Sequence, residues 1–357
     1  MRLLNLAVCT AFLAALLAPS LAPANELLRI YDLAAQNDTT LRAAAGARQS
    51  VVETAPQARG ALLPQVNGTG NMYQGSSTTN NNDGFGDIDS DSDSHELRLT
   101  LRQAVFDTAA WNRWQQADAN AAAAEANYRI AEQSLVVRVA EAYFNVLAAA
   151  DNVRFADAEK KAVERQLELA KKRFEVGLSA ITDVQEAQAR YDLTVAQMIE
   201  AEQALSSAEI AVSEITGATD ARIVALKDEI PLLGPNPDSV NEWLKTAAEK
   251  SLEIRLARAQ TDAAKQAIEV ARAGHYPTLN LVGARAIGAQ TIVFPGGSGS
   301  IDQDYDRLFY GLELNVPIFA GGSTQAGVNT ANSVHEQRLA ELEGRRRAVE
   351  RSTRNAY

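Results

Sequence analysis

The sequence is almost without cysteine and has few histidines. Its only cysteine among 357 residues, Cys9, lies in an apolar run near the N terminus. A chain with one thiol cannot form an internal disulfide or a cysteine-based metal site. The three histidines, His95, His275 and His335, are isolated and lack the spacing of metal ligands. We therefore expect no metal and no other cofactor.

Positive charge and catalytic motifs are also scarce. Lys and Arg number 34 against 45 Asp and Glu, for a formal net charge of −11, and no run of basic residues is longer than three. This balance argues against a nucleic-acid partner. No Ser/His/Asp set is evident, and the Gly-rich stretch 296–299 lacks the Lys, strand and helix of a phosphate-binding loop. We therefore expect no enzymatic activity, and a hydrolase is only a remote third interpretation.

Long apolar runs are confined to the N terminus. Residues 1–24 combine a basic start, an apolar run and the cleavage site Ala22-Pro23-Ala24, which together predict a secretory signal peptide. Cys9 lacks the context of a lipoprotein cysteine, so no lipid anchor is expected. Beyond this segment no stretch of about 18 apolar residues exists, and no transmembrane helix is expected.

Pro and Gly are absent from the 70 residues between Asp107 and Val176. At about 1.5 Å per residue, such a helix would be a rod of roughly 100 Å. Apolar residues recur in alternating steps of three and four on both sides of a short turn, which is a heptad pattern. The inward positions are Leu135, Val139, Ala142, Val146, Ala149, Val153, Ala156, Lys160, Val163, Leu167, Ala170 and Phe174, then Val184, Ala187, Tyr191, Thr194, Met198, Ala201, Leu205, Ala208, Val212 and Ile215. We predict helices 107–176 and 182–216, folded as an antiparallel coiled-coil hairpin.

The turn of this hairpin combines a helix stop with a helix start. Gly177 can adopt the left-handed conformation that ends a helix. Thr182 is predicted to cap the next helix in a capping box, with Gln185 reaching back to the Thr182 amide. Asp183 places a negative charge in the first turn, where the helix dipole favours it.

Four segments alternate apolar and polar residues with a period of two, as β-strands do. They are 62–76, 95–106, 276–293 and 305–319. Polar loops separate the members of each pair, Gly75–Ser94 and Phe294–Asp304. Calcium binding is conceivable in the acidic stretch 83–93, but this stretch lacks the Gly and the closing Glu of an EF-hand, so a solvated loop is expected.

The second pair of strands repeats the first at an offset of 213 residues. Pro64 matches Pro277 (277 − 64) and Leu99 matches Leu312 (312 − 99). A constant offset across helix, strands and loop indicates duplication. After the signal peptide we therefore divide the chain into a first repeat, a separate segment with a short helix around Trp243, and an incomplete second repeat: 25–219, 220–250 and 251–357.

Amphipathic strands of this kind fit a membrane β-barrel, although two ordinary hairpins on a soluble domain would have the same pattern. An unclosed sheet edge is not tolerated in lipid. The smallest known barrels have about eight strands, so two, three or four copies of this four-stranded chain would have to join.

Several motifs resemble the TolC family of outer-membrane efflux proteins. They are 142–147, 173–184, Tyr191-Asp192, 62–65, 275–279 and 317–322, and the resemblance covers essentially the whole chain from Asn25. It implies a mainly α fold with a small β part. Long α-helical coiled-coil hairpins would form a periplasmic α-barrel, and four antiparallel strands would contribute to a trimeric 12-stranded outer-membrane β-barrel. The segment 220–250 would form an equatorial band.

The resemblance also implies a function. The chain would be a passive exit duct of a tripartite efflux pump or type I secretion system, located in the outer membrane and extending into the periplasm. Its implied partners are two further copies of itself, a periplasmic adaptor (membrane fusion) protein, an inner-membrane RND or ABC transporter, and outer-membrane lipid. The runner-up is a periplasmic structural or adaptor coiled-coil protein without a membrane barrel.

By the same resemblance, the periplasmic entrance gate would involve Gln166, Lys172, Gly177, Thr182 and Asp183. Lys172 stands where the family pattern has Gln. The alternative is that Thr182 and Asp183 only cap a helix and that Gln166 is a solvated heptad flank.

The sequence departs from the family pattern at its C-terminal end. Tyr357 aligns with Phe144 at the offset of the repeat (357 − 144), so the counterpart of 145–217 is absent. That counterpart would include the second hairpin turn. We therefore expect a truncated second repeat, a lower tunnel that does not assemble, and failure at export.

Overall fold

The computed structural model describes residues 24–81, 86–218, 234–294 and 299–357. The predicted signal peptide lies outside these ranges except for its last residue, as does most of the first half of the predicted equatorial segment. The described residues divide into two compact units. One comprises 24–45, 128–218 and 234, and the other 46–81, 86–127, 235–294 and 299–357.

Eight helices, one 3-10 turn and four strands make up the described ranges. In chain order they are α1 (Ala24–Asn37), α2 (Thr39–Val52), α3 (Thr54–Gly60), β1 (Gln65–Asn81), β2 (Gly86–Phe106), α4 (Thr108–Glu175), α5 (Ile181–Thr216), α6 (Val240–Lys250), α7 (Leu252–Arg272), the 3-10 turn Ala273–His275, β3 (Thr278–Phe294), β4 (Gly299–Asn315) and α8 (Ser323–Ala356). Within the described ranges, no helix combines the length and apolarity needed to cross a membrane.

The predicted heptad seam forms the core of the first unit. All ten seam positions on α5 are buried or half-buried, and so are all those on α4 except Phe174, which is 42% exposed in the last turn of α4. Side chains of α1 and α2 pack against the part of the seam that lies far from the α4–α5 turn, near Leu135 and Val212. The central cluster is Ile30, Ala34, Leu41, Leu135, Val139, Tyr143, Val146 and Val212. The seam prediction is confirmed, because period-3.5 apolar patterning is the main determinant of coiled-coil packing.

A buried ion pair fixes the junction between α1 and α2 to α4. Asp38 caps α2 by accepting a hydrogen bond from the Leu41 amide at 2.8 Å. The same carboxylate accepts two hydrogen bonds from the Arg138 guanidinium, at 3.2 and 2.7 Å. These bonds hold the pKa of the Asp38 carboxyl below its ordinary value of 3.8.

The four strands form one antiparallel sheet in the order β1-β2-β3-β4. Gln65 of β1 faces Arg102 of β2, and Thr278 of β3 faces Asn315 of β4. Both members of the second pair lie 213 residues after those of the first (278 − 65 and 315 − 102). The two hairpins therefore have the same register at the offset found in the sequence.

The strands extend further than the sequence predicted. Most of the predicted loops Gly75–Ser94 and Phe294–Asp304 is strand, because β1 and β2 continue to Asn81 and from Gly86, and β3 and β4 to Phe294 and from Gly299. Polar side chains pair across the first hairpin, where Thr78 Oγ1 donates to Asp89 Oδ1 at 2.7 Å. The loop prediction was wrong because the backbone pairs regularly there although both faces are polar, so the sequence has no apolar–polar alternation to indicate strands.

The predicted strand ends near prolines were also wrong. β1 begins at Gln65 rather than at residue 62, directly after Pro64, and β4 ends at Asn315 rather than at residue 319. Pro317, two residues beyond β4, has no amide hydrogen to donate to a sheet ladder.

Candidate functional site

Helix α4 ends in a Schellman motif centred on Gly177. The Leu178 amide donates to the Arg173 carbonyl at 2.8 Å, and the Gly177 amide donates to the Phe174 carbonyl at 2.9 Å. These are the 6→1 and 5→2 hydrogen bonds of that motif, which requires a left-handed residue after the helix. Gly177 has φ +76°, so its predicted conformation is confirmed.

Helix α5 begins one residue earlier than predicted, and its cap differs. Ala180 is the extended residue before the helix, with φ −82° and ψ 156°. Asp183 Oδ2 accepts a hydrogen bond from the Ala180 amide at 3.3 Å, and the Asp183 amide donates to the Ala180 carbonyl at 3.1 Å. The predicted capping box of Thr182 and Gln185 is therefore wrong. Thr182 is already helical, and Asp183 makes the reach-back bond that was assigned to Gln185.

The five predicted gate residues are all exposed, but only three of them lie at the turn. Gly177, Thr182 and Asp183 surround it, and Lys172 is in the last turn of α4. Gln166 lies eleven residues before Gly177, or about 16 Å along the helix. Across the described ranges, no side-chain hydrogen bond or ion pair joins any two of the five. A single chain therefore presents these residues on its surface without connecting them.

The turn also exposes apolar side chains that the sequence reasoning missed as a group. Val176, Leu178 and Ile181 are all exposed, Leu178 by 78%. They could have been found from the sequence, because three large apolar residues close to a turn glycine have no helix to pack against. We call these three residues the apolar tip.

The sheet has two chemically different faces. Directly paired residues share a face, so one face is followed across the strands through Gly68, Leu99, Arg285 and Leu308. This apolar face exposes Val66, Met72, Leu97, Leu99, Ile287, Leu308, Tyr310, Leu312 and Leu314. The opposite, polar face presents Glu96, Arg98, Thr100 and Arg102 on β2 and Tyr305, Arg307 and Glu313 on β4.

Both outer strands of the sheet have an open edge. In the described chain β1 pairs only with β2, and β4 pairs only with β3. The sheet thus combines an exposed apolar face with two unpaired backbone edges, and in lipid each unpaired peptide group would cost several kcal/mol.

The outer membrane efflux protein family matches residues 30–218 and 243–357. The chain belongs to this family. It is 33% identical over 331 residues to outer membrane protein TolC of Vibrio cholerae, across 93% of this chain and 73% of that protein. It is 31% identical over 335 residues to the proteases secretion protein PrtF of Dickeya chrysanthemi, across 91% and 71% of the two chains.

Solved structures of the same kind share the fold. The outer membrane channel CmeC of Campylobacter jejuni superposes with a TM-score of 0.72 at 16% identity, over 89% of this chain and 67% of that one. The predicted fold class, long helical hairpins with a four-stranded part, is therefore confirmed.

Family membership also decides the functional class of the protein and its location in the cell. This outer membrane efflux protein is an exit duct of the outer membrane, as expected from the resemblance. The matched relatives are named as outer membrane, secretion or efflux proteins rather than as enzymes. The alternative of a periplasmic adaptor without a barrel is not favoured.

Proposed function

We propose that three copies of the protein expressed from its native gene join edge to edge into a 12-stranded barrel and form a passive tunnel across the outer membrane and periplasm. The observation that carries this proposal is the two-faced sheet with open edges. Joining β4 of one copy to β1 of the next satisfies both edges at once. Four strands alone cannot close a barrel, so more than one copy is needed. The number three comes from the family resemblance.

The apolar face has a limited height. On β4 it is apolar from Leu308 to Leu314, which is six residue steps or about 20 Å at about 3.4 Å per residue, while β3 carries Arg285 opposite Leu308 on the same face. At the tilt of about 40° typical of membrane barrels, this stretch is about 16 Å tall, within the apolar band of about 25 Å in such barrels. Asp302, Asp304 and Asp306 continue β4 on the same face beyond Leu308, so the band ends in acidic residues.

We propose that the α4–α5 turns of the three copies surround the periplasmic entrance and hold it closed. Asp183 would contribute contacts to a neighbouring coiled coil, with Thr182, Gly177, Lys172 and Gln166 placed along the same surface. Their exposure in the single chain supports this role, because gate contacts have to be made between hairpins.

The gate proposal is tested by single-channel conductance in planar bilayers. Asp183→Ala should raise conductance because it removes a gate contact. Asp192→Ala is the matched control, since Asp192 is also exposed on α5 and accepts a local hydrogen bond from Gln188 at 2.9 Å. Equal conductance of Asp183→Ala and the parent would leave Asp183 with its capping role alone.

We further propose that the apolar tip is the docking surface of a periplasmic adaptor, which connects the duct to an energy-supplying RND or ABC transporter in the inner membrane. Exposed apolar residues clustered at one point commonly mark protein interaction sites. Leu178→Ser should reduce recovery of the adaptor on the purified channel without changing the channel's oligomeric state.

The assembly is tested by fractionating membranes from cells that express the native gene, followed by native electrophoresis. The proposal expects a heat-resistant trimer in the outer-membrane fraction. Recovery of monomers or dimers alone would contradict it.

A further inference from the structure

Three side chains from two non-adjacent strands form a closed network on the polar face. Arg98 donates from Nε to Glu96 Oε1 at 2.9 Å and from Nη2 to Glu96 Oε2 at 3.0 Å. The Tyr305 hydroxyl of β4 donates to the same Oε2 at 3.0 Å, across the whole width of β3. The negative charge of Glu96 is therefore already engaged by groups of its own chain.

Small residues on β3 make this bridge possible. A Cβ on Gly288 would lie 2.5 Å from the His95 carbonyl oxygen and 2.7 Å from Cζ of Tyr305. The tyrosine ring thus lies directly over Gly288, and only glycine leaves room for it. The next residue on that face of β3, Ala286, is 5% exposed and pairs with Arg98 of β2 on one side and Arg307 of β4 on the other.

Tyr305 in turn positions Arg307. The guanidinium carbon of Arg307 lies 4.5 Å from the centroid of the Tyr305 ring, in a cation–π arrangement. Arg307 is exposed and forms no ion pair with any residue that the structure describes. It is therefore a cation held by an aromatic ring, with its hydrogen-bond donors still available.

The charge on the two faces of the sheet differs in sign. Over the described strands, the polar face has three arginines and two glutamates, and Arg102 pairs with Glu313 at 3.0 Å. That face of the described sheet therefore has one arginine more than it has glutamates, and Arg307 is the arginine without a hydrogen-bonded carboxylate partner there. Among the strand residues whose side chains the structure describes, the opposite face has six aspartates, at residues 89, 91, 93, 302, 304 and 306, and the single cation Arg285.

We propose that Arg307 and its copies form a ring of positive charge inside the barrel that favours anionic permeants, such as those with phosphate or carboxylate groups. This inference rests on the proposed trimer, in which the apolar face meets lipid and the polar face lines the lumen. Rings of Arg or Lys are the usual means by which pores favour anions. The network of Gly288, Tyr305, Glu96 and Arg98 would hold the three copies of Arg307 at the same position along the barrel axis.

The test is the reversal potential of the channel in planar bilayers under a KCl gradient, using protein from the native gene. Arg307→Gln should lower the chloride-to-potassium permeability ratio about threefold or more, for a ring potential on the order of one kT. Arg307→Lys keeps the charge and should stay close to the parent. Inorganic pyrophosphate should block the parent and Arg307→Lys more strongly than Arg307→Gln.

A matched control lies on the opposite face of the same strands. The double variant Arg285→Gln/Asp306→Asn removes an ion pair of 2.8 Å without changing net charge, and should leave the ratio unchanged. A parent-like ratio for Arg307→Gln, or an equal shift for the control, would overturn the inference while leaving the trimer in place. Absence of a trimer on native electrophoresis would instead overturn the proposed function and the ring together.

Discussion

The ion pair between Asp38 and Arg138 offers a quantitative test of how the helical unit is held together. The Asp38 side chain is 4% exposed and accepts three hydrogen bonds, two of them from Arg138. Asp38→Asn removes the charge but keeps an oxygen that can cap α2, since Asn is as good a cap as Asp. The loss of stability in this variant should therefore reflect the missing ion pair rather than a missing helix cap.

The magnitude follows from burial. Breaking a fully buried pair typically costs about 3–5 kcal/mol, because the remaining charge is left without a partner. The Arg138 side chain is 31% exposed and can recover part of its hydration. We therefore expect Asp38→Asn to reduce stability by about 2–3 kcal/mol at neutral pH.

The pH dependence has a definite sign. Because hydrogen bonds from Arg138 hold the folded-state pKa of Asp38 below its ordinary value of 3.8, the carboxylate contributes stability above that value. This contribution is lost as the pH falls through the lowered pKa. The difference between parent and Asp38→Asn should thus be full at neutral pH and shrink in strong acid.

The assay is thermal melting of the purified protein in detergent, followed by far-UV circular dichroism at several pH values. Asp157→Asn is the matched control, because Asp157 is 41% exposed and forms a local pair with Lys161 at 2.7 Å. Such a surface pair is worth about 0.3–0.5 kcal/mol. If Asp38→Asn melts no lower than the control, or if its loss of stability does not depend on pH, the Asp38–Arg138 pair does not stabilise the helices as expected.

Four further substitutions, one of them a control, separate the effects of core packing, backbone strain and close approach. Gly288→Ala should prevent assembly of the sheet, because the added Cβ would collide with the backbone and with the Tyr305 ring. Gly311→Ala is the control, because a Cβ there has no atom within 4 Å. The amount of folded channel in outer-membrane fractions should be normal for Gly311→Ala and strongly reduced for Gly288→Ala. In Gly177→Ala the added Cβ has no atom within 4 Å, but the alanine must adopt the left-handed φ of +76°. The variant should therefore lose about 1–2 kcal/mol of stability, seen as a small drop in melting temperature. Leu135→Ala, at a fully buried seam position, should cost about 3–5 kcal/mol of stability and melt well below Gly177→Ala. A higher melting temperature for Leu135→Ala than for Gly177→Ala would contradict the assignment of Leu135 to the core of the coiled coil.

The sequence was most informative where the structure depends on local periodicity. The predicted helices 107–176 and 182–216 are found as Thr108–Glu175 and Ile181–Thr216 because heptads and a turn glycine act within a few residues. Strand ends were less predictable, since polar alternation carries no hydrophobic signal. The cap of α5 was missed because the choice between adjacent capping residues depends on backbone angles that the residue types leave open.

Contacts between distant segments could not be predicted. Glu96 and Tyr305 are 209 residues apart, and their hydrogen bond depends on the register of β2, β3 and β4 together. Asp38 and Arg138 are 100 residues apart and meet only after two helices have packed. The roles of the gate residues depend on neighbouring chains, so they stay predictions.

The measurement that tests the account most directly is disulfide cross-linking between the open edges of the sheet. The only native cysteine, Cys9, lies in the predicted signal peptide, so pairs can be introduced without interference. One cysteine is fixed at Thr69 in β1, and the second is moved along β4 from Gln303 to Glu313, in protein kept in native outer membranes. The account predicts that pairs at one register give a ladder that ends at three chains. A product that stops at two chains, a ladder that continues beyond three, or no cross-link at any register would contradict it.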